Sequence, residues 1–235
     1  MIVIFASRFD KSASSLAVRW KNYDASLLTC EDLSVAGWRH FLSAESKDFA
    51  VVSGQIVDVA DIDAVLIRWP GVFAQELIQI AAHDRDYVAS EMMAFLVSWL
   101  SSLSCPVINK PTPVNLTGPA WRLEQWTRAA AQLGIPVRPA RRHVARNTVE
   151  KELPLEPAHA TVTVVGERCF GNVEPLLLEQ SRELARAADV SLLKVGFTGS
   201  EAGSLLAGVD LIPDLADETA DAVLDLLIHR EVTAV

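Results

Sequence analysis

The stretch that most constrains the fold is Ala64–Val137, in which short apolar runs alternate with helical segments. Ala64–Trp69 is an almost unbroken apolar run, which is typical of a strand covered on both faces. A long apolar helical segment follows it, then the short strand Pro106–Asn109, a second helix and the start of a strand at Ile135. This alternation predicts an α/β protein built on a parallel sheet.

Three polar residues lie at the carboxyl ends of two of these strands. Arg68 is the only charge in its apolar run and stands two residues before Pro70. Asn109 and Lys110 likewise end a strand and precede a proline. Because ligands of open α/β sheets gather outside the carboxyl ends of the strands, we expect these three residues to lie at one ligand-binding cleft. The alternative for Arg68 and Lys110 is a solvated side chain at a strand end or turn.

The composition excludes several classes of protein. Hydrophobic residues make up 50% and charged residues 22% of the 235 residues, which indicates a globular protein. The net charge of -9 argues against a dedicated nucleic-acid binder. Basic residues concentrate in Trp121–Lys151, whereas Gly196–Val235 is strongly acidic. This separation favours an anionic ligand or a partner of opposite charge.

Cysteine usage and hydropathy together predict a cytoplasmic protein. Cys30, Cys105 and Cys169 are isolated and show no spacing of a metal site or disulfide framework. No basic segment precedes the first apolar run, so no signal peptide is evident. The most apolar window, Met92–Leu103, is too short to cross a bilayer and fits a buried helix.

Three segments resemble the front half of ATP-grasp ligases of the glutathione-synthetase and ribosomal-S6-modification type. They read VLIRWP, SCPVINKPTPVN and WRLEQWTRAAAQLGIPVRP, and the resemblance covers roughly Ile2–Val144. It implies a pre-ATP-grasp domain over residues 1–112 and an ATP-grasp domain over residues 113–235. Asn109 and Lys110 then lie at the joint between the domains, where Lys110 would contact phosphate. Arg122 stands where the family commonly has the lysine of Asn-Lys-Leu, so it is a further candidate ligand-binding residue.

The second half of the chain departs from the family pattern. Family members insert a multi-stranded lobe here, whose lysines hold the phosphates of ATP. In this chain only the segment Arg138–His159 separates the two matching parts, and it contains Pro154 and Pro157. We therefore expect a reduced ATP-grasp-like α+β remnant that lacks the small phosphate-clamping lobe.

The last hairpin that the sequence predicts, Leu192–Leu211, also departs from the family. Active ligases carry an acidic residue and then Glu-x-Asn on these strands, and these residues bind magnesium. Here Lys194 and Gly196 stand where the acid is expected, Gly208 replaces the glutamate, and Asp210 lies near the asparagine position. A lysine would repel magnesium. The sequence thus assigns no catalytic residue and no metal ligand.

These departures predict a truncated, degenerate ATP-grasp-like protein that is non-catalytic and needs no cofactor. It would act as a partner subunit of a related ATP-grasp ligase, as a homodimer, or as a binder of a small anionic ligand, with no nucleic-acid or membrane partner. The alternative is an ATP-dependent carboxylate–amine ligase with rearranged or partner-supplied catalytic residues. Only that alternative would require ATP and magnesium.

Overall fold

A computed structural model describes residues 1–41, 47–138 and 157–229, which form two compact units. The first unit comprises Met1–Pro119 and the chain from Asp214 onwards, and the second comprises Ala120–Pro213. The last helix, α5 (Asp217–His229), belongs to the first unit, where it contacts strand β5 (Ala64–Ile67). The domain division into residues 1–112 and 113–235 stays a prediction.

The first unit is built on a parallel sheet, as predicted. Its strands are β1 (Ile2–Phe5), β2 (Ala25–Leu28), β5 and β6 (Val107–Ile108), arranged in the order β2-β1-β5-β6. Every residue of β1 and β5 is buried, which explains their unbroken apolar sequences. The carboxyl ends of these strands consequently lie at one edge of the sheet.

A separate two-stranded hairpin precedes β5. Its strands are β3 (Phe49–Val52) and β4 (Gln55–Asp58), and Ser53 and Gly54 form the turn with φ of 50° and 74°. The sequence also suggests a strand over Trp38–Ser43. The structure has only a single bridge there, between Arg39 and Phe49, and residues 42–46 lie outside the described part of the chain.

The other α-helices described in the first unit are α1 (Lys11–Arg19) and α2 (Arg85–Ser102). A long helix, either kinked or divided in two, is predicted over Val72–Leu103, but the structure forms α2 only from Arg85 onwards. The Arg85 guanidinium donates to the carbonyl oxygens of Ile80 and Ile78 at 2.9 and 3.2 Å, which holds the preceding segment in a non-helical path.

The second unit is an antiparallel sheet with two helices on one face. Its strands lie in the order β10-β9-β7-β8. The elements are α3 (Leu123–Gln132), β7 (Ala160–Val165), β8 (Arg168–Phe170), α4 (Pro175–Ala187), β9 (Leu192–Phe197) and β10 (Leu206–Asp210). The sequence predicts hairpins over Thr161–Phe170 and Leu192–Leu211, and both are present in this sheet as β7–β8 and β9–β10.

The predicted strand at Ile135–Val137 is wrong. This segment has no regular structure, and the Pro136 carbonyl accepts a hydrogen bond of 2.9 Å from the Leu206 amide. Proline has no amide hydrogen to donate to a ladder, so this contact does not extend into a paired strand. The predicted absence of a phosphate-clamping lobe concerns mainly residues 139–156, which lie outside the described residues.

Each unit has its own apolar core. In the first, Phe5, Trp69, Leu96 and Trp99 are almost completely buried between the sheet and α2. In the second, the core joins α3 and α4 to one face of the sheet. None of the helices in the described residues is long and apolar enough to span a membrane.

Candidate functional site

The carboxyl edge of the parallel sheet gathers polar side chains that follow all four of its strands. The strands β1, β2 and β5 are followed there by Ser7-Arg8, by Glu31, and by Arg68. β6 is followed at once by Asn109 and Lys110. The pairing of Leu66 with Ile108 places Arg68 and the Asn109–Lys110 segment beside each other, just beyond the last paired positions. Arg68, Asn109 and Lys110 therefore share one sheet edge.

Arg68 is buried and paired with a carboxylate. Only 3% of its side chain is exposed, and its Nε donates to Oδ2 of Asp10 at 2.9 Å. The other oxygen of Asp10 accepts from the Ala13 amide at 3.0 Å and so caps α1. Arg68 thus fastens the loop between β1 and α1 to the end of β5. Its role as a ligand-binding residue stays a prediction.

Asn109 and Lys110 differ in exposure. Asn109 is buried and donates from Nδ2 to the Thr117 carbonyl at 3.2 Å, whereas Lys110 is exposed. The loop that follows is also anchored, because the Leu116 amide donates to the Pro70 carbonyl at 2.8 Å. The two loops that follow β5 and β6 are therefore joined at this edge, and Lys110 is the candidate whose side chain solvent reaches.

Sequence reasoning missed the acidic residues of this edge. Glu76 accepts from the Ser7 hydroxyl at 2.9 Å and from Nε1 of Trp69 at 3.2 Å, while Arg8 pairs with Glu31 at 2.5 Å. Asp10 could have been identified from the sequence as a helix cap, because it directly precedes a helical segment and aspartate is favoured at that position. No sequence pattern identifies Glu76, since its partners Ser7 and Trp69 are brought to it only by the folded loops.

Burial and these contacts shift two pKa values in opposite directions. Burial raises the pKa of the Cys30 thiol to about 12, and the neighbouring Glu31 carboxylate adds to this effect. Burial alone would raise the pKa of Glu31, but its backbone hydrogen bond, the Cys30 thiol and Arg8 together lower it. Cys30 is consequently a protonated, buried thiol at neutral pH, which makes it a poor nucleophile.

Arg122 belongs to the second unit. It is exposed at the start of α3, where its backbone amide donates to the Gln125 side chain at 2.9 Å. The structure therefore brings Arg68, Asn109 and Lys110 together within one unit and describes Arg122 in the other. The role of Arg122 in ligand binding also stays a prediction.

The described helices of the second unit, α3 and α4, pack on one face of its sheet, and the opposite face is called the open face. Alternation along the strands directs Val162, Val164, Leu193 and Val195 to the core, while Thr161 and Thr163 lie on the opposite face. On that opposite face Lys194 is paired with Asp210, and Gly196 is paired with Gly208. These four residues stand at the positions where the resemblance to ATP-grasp ligases leads us to expect magnesium ligands.

The side chains at these positions offer little to a cation. Asp210 Oδ1 already accepts from the Ile212 amide at 2.8 Å. A Cβ at Gly196 would lie 2.8 Å from Cβ of Ala158, so the close chain favours glycine there. Across residues 1–41, 47–138 and 157–229, no group of three histidine, cysteine, aspartate or glutamate side chains is placed to hold a metal ion.

A groove of about 580 Å³ lies at one end of this open face. Glu174 organises one wall, because its carboxylate accepts from the Ala202 amide at 2.9 Å and its own amide donates to Ser200. The lining residues are His159, Ala160, Thr161, Phe170, Gly171, Asn172, Gly199, Ser200 and Glu201. They form a mixed polar surface with one aromatic ring.

Searches with the sequence found no match: no protein-family model fits the chain, and no curated protein matches it. Solved structures do match. The macrocyclase MdnC from Microcystis aeruginosa MRC, bound with the precursor peptide MdnA, superposes with a TM-score of 0.68 at 10% identity, covering 97% of this chain and 99% of that one.

Two further structures extend the comparison. A RiPP-associated ATP-grasp ligase from Chryseobacterium gregarium, in complex with ADP and a leader and core peptide, gives a TM-score of 0.64 at 11% identity over 98% and 97% of the two chains. A RimK domain ATP-grasp protein from Sphaerobacter thermophilus DSM 20745 gives 0.50 at 12% identity over 97% and 100%. Identities this low support a conclusion about the fold only. The chain has the fold of the ATP-grasp ligases.

Proposed function

We propose that this protein is a non-catalytic ATP-grasp-fold protein that acts as a partner subunit of an active ATP-grasp ligase. The observation that carries the proposal is the pairing of Lys194 with Asp210 and of Gly196 with Gly208 on the open face of the second unit. Of these four residues only Asp210 has a carboxylate, and Lys194 stands opposite it in the strand register.

The chemistry of the ligases explains why these residues matter. Activation of a carboxylate by ATP requires metal ions that bridge and neutralise the phosphate oxygens. Magnesium takes its protein ligands from carboxylate oxygens. A lysine ammonium and two glycines supply none, and the positive charge of Lys194 opposes a cation beside Asp210. The described residues of this hairpin do not fit a magnesium site.

A partner role is consistent with what the similar structures contain. One of them holds a precursor peptide and another holds a leader and core peptide, so proteins of this fold act on other polypeptides. We infer that the chain retains a polypeptide-binding role, in which the polypeptide is a ligase subunit or that ligase's substrate peptide. The segregation of basic and acidic segments in the sequence supports contact with a charged partner.

The second candidate function is an ATP-dependent carboxylate–amine ligase. The superposition favours it, because it extends over nearly the whole length of the Chryseobacterium gregarium ligase, whose structure contains ADP. In that case a residue outside the final hairpin, or a partner chain, would have to supply the missing metal ligands.

Co-expression tests the partner role. The tagged chain is produced with a full-length ATP-grasp ligase from the same genome, and the mixture is separated by size-exclusion chromatography with light scattering. We expect a defined complex in which the rate of peptide modification by that ligase changes at least tenfold. A chain that elutes alone as a monomer, and leaves the ligase rate unchanged, would contradict the proposal.

A further inference from the structure

We propose that Ser98, His40 and Asp48, all in the first unit, form a nucleophilic site at which Ser98 accepts an acyl group. This site is separate from the sheet edge and from the final hairpin, and it needs neither ATP nor a metal. Its substrate class is activated esters of small carboxylic acids. No local sequence pattern indicates it, since Ser98 lies 58 residues from His40 in the chain.

The three side chains form a continuous hydrogen-bonded chain. Nδ1 of His40 lies 2.7 Å from Oδ2 of Asp48, and Nε2 of the same ring lies 3.0 Å from Oγ of Ser98. A carboxylate can only accept, so it fixes the proton of the neutral imidazole on Nδ1. Nε2 is then the acceptor for the serine hydroxyl. This is the order of nucleophile, base and orienting carboxylate that activates a serine.

Asp48 and His40 are held in place by contacts of their own. Oδ1 of Asp48 accepts from the Phe41 amide at 2.9 Å, so both carboxylate oxygens have partners. The His40 side chain is 7% exposed, and its ring stands edge-on to Phe95 at 6.1 Å between centroids. The hydrogen bond from His40 is the main cause that lowers the pKa of Asp48, which keeps this carboxyl ionised. The base is therefore oriented before any substrate arrives.

The nucleophile lies beside an exposed part of its helix. Ser98 is half-buried on α2, and its neighbours one turn away, Ala94 and Ser101, are small and exposed. The adjacent Trp99 instead points into the core. Solvent and a small ester can thus approach Oγ of Ser98 from the exposed side of the helix.

The proposed step balances without an additional oxidant or metal. Oγ of Ser98 attacks the carbonyl carbon of the ester while its proton passes to Nε2 of His40. The carbon–oxygen bond to the alcohol portion breaks, and the alcohol leaves with the proton from His40. Water then attacks the acyl-serine by the same route and releases the carboxylic acid. The net reaction is ester plus water to acid plus alcohol.

A purely structural role is the rival explanation, in which the three residues only fasten the segment before β3 to α2. Covalent labelling separates the two, because packing alone does not activate an oxygen. The probe is an alkyl fluorophosphonate. Its phosphorus forms a bond to Oγ as fluoride leaves and the serine proton passes to His40. Mass spectrometry of the peptide that contains Ser98 measures the label, and 4-nitrophenyl acetate measures turnover.

We expect the wild-type protein to be labelled at Ser98 and to hydrolyse the acetate. Ser98→Ala should abolish the label, and His40→Gln should slow labelling by about 100-fold, the usual contribution of a general base. Ser101→Ala, on the same helix, should label like the wild type. If His40→Gln does not fold by circular dichroism, Asp48→Asn replaces it with the same expectation. Absence of label on folded wild-type protein, or equal labelling of the base variant, would overturn the proposal.

Discussion

At the scale of single residues, two arginines at the carboxyl edge of the parallel sheet are paired with carboxylates of the same unit. Arg68 meets Asp10 and Arg8 meets Glu31, but the two pairs differ in burial. The Arg68 side chain is 3% exposed, whereas that of Arg8 is 32% exposed. Removing one partner of a buried pair leaves an uncompensated charge inside the protein, whereas water screens the charges of an exposed pair. The two arginines should therefore respond differently to mutation.

We predict that Arg68→Ala lowers the free energy of unfolding by about 3 kcal/mol. The variant would leave the carboxylate of Asp10, which caps α1, without its charged partner. Arg8→Ala is the matched control and should cost at most about 1 kcal/mol. Urea unfolding followed by circular dichroism measures both. Equal losses for the two variants would show that the Arg68 pair is no more important for stability than a surface pair.

The location of this edge could be predicted from the sequence, but its contacts could not. Arg68, Asn109 and Lys110 share an edge because neighbouring parallel strands end together, and that follows from the apolar runs before them. The partner of Arg68 lies 58 residues away in sequence. His40 and Ser98 are likewise 58 residues apart. Pairing over such distances depends on the folded topology, which no local pattern specifies.

At the scale of elements, the final helix completes the first unit rather than the second. Leu227 of α5 is 2% exposed, whereas the next residue, Ile228, is 45% exposed. Arg19 of α1 also reaches α5, where it pairs with Asp217 and Asp221. Both aspartates are largely exposed, so apolar burial supplies most of the attachment of this helix.

We predict that Leu227→Ala lowers the free energy of unfolding of the first unit by about 3 kcal/mol, through lost burial and the cavity that remains. Ile228→Ala removes a similar side chain from the exposed face of the same helix and should change stability by less than about 1 kcal/mol. Thermal or urea unfolding of the two variants tests this. Similar effects at both positions would mean that α5 does not pack through the face that contains Leu227.

Element types were predicted better than element ends. The strands β1 and β5 follow from their apolar runs, and the hairpins of the second unit follow from their turns. The start of α2 could not be predicted, because Arg85 holds carbonyls of the preceding segment by contacts that no periodicity encodes. The expected strand near Ile135 fails on Pro136, whose missing amide hydrogen outweighs the apolar character of its neighbours.

At the scale of the whole molecule, the chain has the fold of the ATP-grasp ligases but carries unusual residues on its last hairpin. The superpositions extend over nearly the full length of the similar chains at identities of 10–12%. At that level the fold persists while side chains have changed almost everywhere. Function must then be argued from the site. Lys194 opposite Asp210, and glycine opposite glycine, are the residues on which the non-catalytic proposal rests.

The most direct test of this account is ADP release from ATP by the isolated protein, with magnesium and a peptide substrate of a co-encoded ligase present. We predict no release above the protein-free background, and no further loss in Asp210→Asn, because the final hairpin supplies no set of metal ligands. Asp189→Asn, in an exposed turn of the same unit, is the matched control. Magnesium-dependent ADP release by the wild type that is lost in Asp210→Asn but kept in Asp189→Asn would contradict the account and establish the ligase alternative.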